Sequence, residues 1–285
     1  MTENSDTNID ETVVERHWFS GNAGDLLTRI DNALKKAGKS LSHLTAEDLL
    51  AFDEFHIRGR EATVELSGLA KIQTSDEVID IGCGLGGPSR FIASSTGCRV
   101  TGIDLTAEYC QVARVLADRT GLEDRVHYRQ GNALALPFPD ASFDIAWTQH
   151  ISMNIQDKSA MFSEMYRVLK PGGRAAIYDP IGGSGEPLTF PVPWANDDTI
   201  NFLIDTQETK ETLTGTGFTL ETWRDVSQAS LAWFKVNARP ADAEPPILGL
   251  HLLLGPLWPT MAANMVSNIA AGRLAVIQAI VRKPQ

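Results

Sequence analysis

Two carboxylates and a cluster of glycines carry the chemistry of this chain. Asp80 sits near the end of the apolar run Val78-Ile79-Asp80-Ile81; Gly82, Gly84, Gly86 and Gly87 follow, with only Cys83 and Leu85 between them; Asp104 closes a second run, Gly102-Ile103-Asp104. Glycines in a turn after a buried strand bring backbone N–H groups close to a ligand with no Cβ in the way. A carboxylate at the end of the neighbouring strand accepts hydrogen bonds from the two hydroxyls of a ribose with charge-assisted strength. The predicted chemistry is the binding of a nucleoside cofactor.

The spacing Gly82-x-Gly84-x-x-Gly87 also satisfies the dinucleotide fingerprint, which keeps an NAD-dependent dehydrogenase as a remote alternative. Asp80, two residues before the first glycine, points instead to S-adenosylmethionine (SAM). A carboxylate there reaches the ammonium of a methionine moiety and repels a pyrophosphate. The fingerprint also begins near residue 80, behind a helical segment, whereas many dinucleotide enzymes open with it.

Asp80-Ile-Gly-Cys-Gly-Leu-Gly-Gly87, Gly131-Asn-Ala-Leu-Ala-Leu-Pro-Phe-Pro-Asp-Ala-Ser-Phe-Asp144 and Glu164-Met-Tyr-Arg-Val-Leu-Lys-Pro-Gly-Gly173 resemble the successive motifs of class I SAM-dependent methyltransferases, in order, over residues 75–180. Residues 55–59 and 148–155 resemble the small-molecule branch that contains sarcosine/dimethylglycine N-methyltransferases, phosphoethanolamine methyltransferases and quinone or tocopherol C-methyltransferases. The resemblance implies S-adenosyl-L-methionine as cofactor and transfer of its methyl group to a small molecule, with the nitrogen of an amine or amino acid favoured. Carbon or oxygen methylation of a quinone, phenol or lipid-like acceptor is the alternative, and a catalytically silent SAM-binding protein is the non-enzymatic one.

On this reading Gly82, Cys83, Gly84 and Gly86 lie against the methionine and ribose, Asp80 faces the ammonium, Asp104 takes the ribose diol, and Leu105 packs on adenine. Asn132 and Ala133, after the third strand, read the adenine edge. Arg58 closes over the cofactor's carboxylate or makes a helix-start ion pair. Gln149 and His150 end the fourth strand, where cofactor and acceptor meet in a doubly wound sheet. His150 is the candidate general base, because imidazole titrates near neutral pH. Asn154 stands where the resembling phosphoethanolamine enzymes carry a histidine, and is the second catalytic candidate. Methyl transfer is an in-line displacement that needs an enclosed, aromatic-walled pocket and no metal; His56, Trp194, Trp233 and Phe234, with Trp258, are the candidate walls.

The elements that must position these residues read as alternating strand and helix: strands near 76–82, 99–104, 125–130, 143–149 and 174–179, helices near 87–97, 106–120, 157–169 and 206–216. Two further strands, 218–226 and 273–280, complete a doubly wound, mostly parallel seven-stranded α/β sheet of the Rossmann-like methyltransferase kind. The expected organisation is a disordered tail over 1–15, a helical cap over 16–72, a cofactor-binding core over 73–227, a helical lid over 228–271 inserted above the acceptor together with the Pro-rich excursion 180–200, and a final core strand in 272–285.

At 285 residues and 43% hydrophobic content the chain suits one α/β domain with additions. A net charge of −11 without a basic run argues against nucleic acid as partner. The three cysteines lack metal-ligand spacing and read as reduced thiols of a cytoplasmic protein. The longest apolar stretch, 247–258, is broken by glycine and proline and is too short to span a bilayer, so no integral membrane segment is expected. The expected state is a monomer or a homodimer.

Overall fold

The computed structural model describes residues 11–18, 25–183, 186–238 and 244–285. Among the described residues four helices come first, α1 (Glu11–Trp18), α2 (Asp25–Lys36), α3 (Ala46–Asp53) and α4 (Gly59–Ala70). Strand and helix then alternate through β1 (Glu77–Ile81), α5 (Gly87–Thr96), β2 (Arg99–Asp104), α6 (Ala107–Arg119), β3 (Val126–Gln130), β4 (Phe143–Gln149), α7 (Lys158–Val168), β5 (Leu169–Gly182), α8 (Thr206–Gly215) and β6 (Thr219–Asp225). Helices α9 (Ser227–Asn237), α10 (His251–Leu254) and α11 (Trp258–Ala270) precede the last strand, β7 (Leu274–Arg282).

The seven strands form one sheet in the order β3-β2-β1-β4-β5-β7-β6. The first five are parallel, and β7 runs antiparallel to both β5 and β6. The strand order reverses between β1 and β4, so the crevice past their carboxyl ends is the position where such sheets bind ligands. Residues alternate between the faces of the buried strands: Val78 joins the cluster containing Ala62 and Leu66 of α4 and Ile92 of α5, while Ile79 and Ile81 join Met161, Phe162 and Met165 of α7 on the other face. Helix α5 begins with Gly87-Pro88, proline being suited to the first helical turn because its missing N–H has no partner there in any case.

Three expectations about organisation change. Residues 1–10 of the expected tail lie outside the described residues, but its remainder is helical: α1 begins at Glu11, not near Arg16, because Val13, Val14 and Trp18 find an apolar seat against the core. The segment 228–271, expected over the acceptor, packs elsewhere. Helices α9 and α11 lie against each other and β7, with Met265 and Ile269 in the core, and Leu248, Leu252 and Leu253 cover the cluster built by Leu26, Ile30 and Leu34 of α2. Strand β5 starts earlier and ends later than expected. Among the described residues no helix is long and apolar enough to cross a membrane.

Candidate active site

Beyond the carboxyl ends of β1, β2 and β4 lies a cavity of about 540 Å³. Its floor is Asp80, Gly82, Cys83, Asp104 and Leu105 from the ends of β1 and β2; Asn132 and Ala133 line it after β3, and Gln149 and His150 after β4. Its roof is not the inserted segment. Val14, Glu15 and Trp18 of α1 cover it from one side and Pro193, Trp194 and Phe202 from the other.

The glycine turn is built for close approach rather than for offering donors. Gly82 takes φ +74°, and a Cβ there would come within 2.0 Å of Ile151 Cγ2. Gly84, at φ +52°, would place one 2.5 Å from the Phe55 ring. The N–H groups of Gly82 and Cys83 both donate to the Ile103 carbonyl, at 2.8 and 3.0 Å, and that of Gly86 donates to the Cys83 carbonyl at 2.8 Å. Gly84 donates to Asp104 Oδ2 at 2.8 Å, while Thr106 N–H donates to Oδ1 at 2.9 Å. Gly84 and Gly86 are not among the residues that line the cavity, and Gly84 orients the Asp104 carboxylate. Each oxygen of that carboxylate retains acceptor capacity for a ligand hydroxyl.

Asp80 is 2% exposed and accepts from Ser89 Oγ at 2.5 Å. Burial pushes its carboxyl up to about 7, with the Ser89 bond pulling the other way. Burial likewise raises Asp104. Asn132 Oδ1 accepts from Leu134 N–H at 2.9 Å, an Asx turn that fixes the loop carrying Ala133 into the cavity.

At the end of β4 the chain departs from strand geometry. His150 sits in the left-handed region at φ +56° while its N–H donates to the Tyr178 carbonyl at 2.8 Å. Its ring lies 5.1 Å from that of Tyr178 and 5.9 Å from that of His56. The Nε2 atom is buried with no partner, and burial, reinforced by His56, holds the imidazole well below its ordinary pKa, so it is neutral. Gln149 is oriented by Trp147 Nε1, which donates to its Oε1 at 3.0 Å, while its own Nε2 has no partner. His56 is fixed differently: its Nε2 lies 2.9 Å from Glu54 Oε2, a carboxylate that Arg60 and Thr63 also hold. Unpartnered buried polar groups cost stability and are the ones that a ligand satisfies.

Several expected site residues are placed otherwise. Arg58 donates from both guanidinium Nη atoms to Glu65, at 2.8 and 2.5 Å, and does not line the cavity; the left-handed turn at Arg58 starts α4 with its side chain along the helix toward Glu65. Trp233 and Phe234 stack edge to face 5.4 Å apart on α9, and neither they nor Trp258 line the cavity, because α9 and α11 pack on β7. Asn154 lines the cavity, but both its amide hydrogens are spent on the Trp194 and Ile200 carbonyls, at 3.0 and 2.9 Å, and its Oδ1 accepts from Trp18. It is a structural tie. Trp194 does line the cavity, with its indole N–H on Asn201 Oδ1 at 3.0 Å.

The sequence reading missed Trp18, Glu15 and Asp53. Asp53 is 2% exposed, pairs through Oδ2 with Arg90 at 2.7 Å, and leaves Oδ1 unpartnered. The helical spacing of Val14 and Trp18 within an otherwise polar segment was the available signal for α1.

The match to known proteins falls on this floor. Residues 79–177 match a family model described as a methyltransferase domain. Methyltransferase GfsG of Streptomyces halstedii is 33% identical over 162 residues, covering 56% of this chain and 58% of that protein. The 27-O-demethylrifamycin SV methyltransferase of Amycolatopsis mediterranei is 35% identical over 117 residues, covering 41% and 43%. The chain thus spans under two thirds of the length of these relatives. Among solved structures, a geranyl diphosphate methyltransferase in complex with GPP and sinefungin superposes with a TM-score of 0.69 at 20% identity, covering 96% of this chain and 98% of that one. Phosphoethanolamine N-methyltransferase 2 of Haemonchus contortus, solved with phosphomonomethylethanolamine and S-adenosylhomocysteine, gives 0.69 at 20%, covering 95% and 61%. The matched residues 79–177 include the cavity floor, whereas α1 and Trp194 of the roof lie outside them.

Proposed function

We propose that this protein is a SAM-dependent methyltransferase acting on a small-molecule acceptor. The observation that carries the reading is one cavity lined by an oriented carboxylate on β2, a second carboxylate on β1, and Gln149 and His150 after β4. These residues fit the cofactor. Asp104 is set to accept from a ribose diol, Leu105 and Ala133 offer an apolar slot for adenine, and Asp80 offers a carboxylate to the methionine ammonium. When bound, SAM supplies an electrophilic methyl group on a sulfonium. The acidic floor suits that cation, and the roof of Trp18, Trp194 and Phe202 excludes water.

For the acceptor atom, likeness in the motifs favours the nitrogen of an amine or amino acid, with oxygen or carbon as the alternative. The chemistry at His150 supports the alternative better. A protonated amine must shed its proton before it can attack, and an imidazole held well below its usual pKa is a poor recipient. A hydroxyl becomes strongly acidic only as it gains the methyl group, and a weakly basic neutral imidazole then accepts its proton downhill. The relative named for 27-O-demethylrifamycin is in keeping with an oxygen acceptor.

The test is incubation with methyl-labelled SAM and a panel of amines, phenols, alcohols and quinones, with the labelled product identified by mass, alongside calorimetric titration with S-adenosylhomocysteine and NADH. The reading requires S-adenosylhomocysteine binding and a labelled product. Binding of NADH alone would replace it with a dehydrogenase.

A further inference from the structure

The charge of the cavity narrows the acceptor further. Five carboxylates line it, from Glu15, Asp53, Asp80, Asp104 and Asp157, and among the described residues no lysine or arginine does. The arginine closest to the wall in bonding terms, Arg90, is spent on Asp53 Oδ2 and on the Leu85 carbonyl, each at 2.7 Å. Backbone donors do not substitute for a cation. The N–H groups of Gly82, Cys83, Gly84 and Gly86 are engaged within the turn or on Asp104.

The cofactor's carboxylate carries its own ammonium beside it; a phosphate, diphosphate or carboxylate on the acceptor carries none, would lose its hydration without gaining a counter-charge, and would face carboxylates besides. The remaining surface is apolar and aromatic: Trp18, Phe55, Ile151, Met153, Trp194 and Phe202. Gln149 and His150 line it too, each with a buried Nε2 that has no hydrogen-bond partner. A group that both accepts and donates one hydrogen bond satisfies the pair, and an uncharged hydroxyl does so.

We propose that the methyl acceptor is an uncharged, largely apolar molecule that presents a hydroxyl to Gln149 and His150, and that phosphorylated and carboxylated acceptors are excluded by the all-acidic lining. This rests on the methyltransferase reading and narrows it. Specificity of this kind is a difference in affinity produced by repulsion as much as by contact.

The experiment is calorimetric titration of the S-adenosylhomocysteine-saturated protein with three probes of one shape: 1-naphthol, 1-naphthyl phosphate and 1-naphthylmethylammonium. The expected result is naphthol tightest, by at least about ten-fold over the phosphate. Equal or tighter binding of the phosphate overturns the proposal, tightest binding of the ammonium overturns it in favour of a cationic amine, and no binding of any probe removes the apolar acceptor pocket. Ile155→Arg, at a half-buried cavity position, adds the missing cation and should shift the preference toward the phosphate by about ten-fold; an unchanged ratio also counts against the proposal. If S-adenosylhomocysteine itself fails to bind, the methyltransferase reading falls, and the three probes titrated into the free protein still decide the charge preference separately.

Discussion

Asn154 Oδ1 accepts a hydrogen bond from Trp18 Nε1 at 3.0 Å, so a side chain in the turn after β4 holds a helix at the start of the chain. With its amide on the Trp194 and Ile200 carbonyls, this one residue ties together every piece of the cavity roof. A residue expected to act on substrate is instead the knot of the cover.

Trp18→Phe keeps the aromatic wall and removes the indole donor, and should cost about 0.5–1.5 kcal/mol, the worth of one hydrogen bond. Asn154→Ala leaves two carbonyls without their donor and should cost about 1–3 kcal/mol. Hydrogen exchange reads both. Protection over 11–18 should fall in each variant, and protection near 194–202 only in the second. Unchanged exchange in Asn154→Ala would show that packing alone holds the roof.

Asp104→Asn retains an acceptor for one of the two backbone donors but gives up the charge that a ribose diol meets. Affinity for S-adenosylhomocysteine should drop by about 1.5–3 kcal/mol, roughly ten- to 150-fold, by calorimetry. Full affinity would remove Asp104 from the cofactor.

The raised pKa of Asp80 makes both stability and binding depend on pH. Its folded carboxyl titrates at about 7 against an ordinary 3.8, so between those values the folded state holds more proton than the unfolded chain, and stability falls as pH rises from about 4 to 7. Asp179, pushed up to about 6, contributes in the same direction. Asp80→Asn should flatten, but not abolish, the decline of Tm between pH 5 and 8. Because the ionised carboxylate is the form that meets an ammonium, S-adenosylhomocysteine should bind more tightly at pH 8 than at pH 6 in the native protein and equally in the variant.

Gly82→Ala forces a Cβ against Ile151 at φ +74° and should cost about 1–3 kcal/mol in denaturant unfolding. Pairing it with Ile151→Ala relieves the overlap but not the backbone strain, so the double variant should be more stable than the sum of its parts. Strict additivity would mean that the two sites do not touch.

His150→Ala should lower kcat by about 100- to 10,000-fold while leaving S-adenosylhomocysteine affinity within about two-fold. An equal loss in both would make the ring a packing element of the cofactor floor.

The floor of the site was legible because its signals are local. Val78-Ile79-Asp80-Ile81, the glycines and Asp104 specify strand, turn and strand end over 27 residues, and β2 pairs with β1 in the parallel register that brings Asp80 beside Gly102 and Ile81 beside Ile103. The roof was legible only in part: Trp194, a candidate wall in the sequence, lines the cavity, but the placing of α1 was not legible, since it depends on which apolar surface meets which. The stretch 247–258 reads as needing cover and was expected over the acceptor; Leu248, Leu252 and Leu253 find that cover on α2 instead. Meanwhile Val14 and Trp18, two apolar residues in a polar segment, reach the cavity through contacts more than a hundred residues distant. Arg58 was legible in kind: a helix-start ion pair was one of its two readings, and the structure supplies Glu65 as the partner.

The separation of floor from roof has a consequence for altering the protein. Carboxylates and glycines that would handle the sulfonium nucleoside occupy strand ends inside the sheet, whereas 13–18 and 193–202 lie outside it, with Asn154 bonded to both. Randomising those two stretches while keeping Asn154 is therefore a route to catalysts with new acceptor tastes that draw on the same methyl donor.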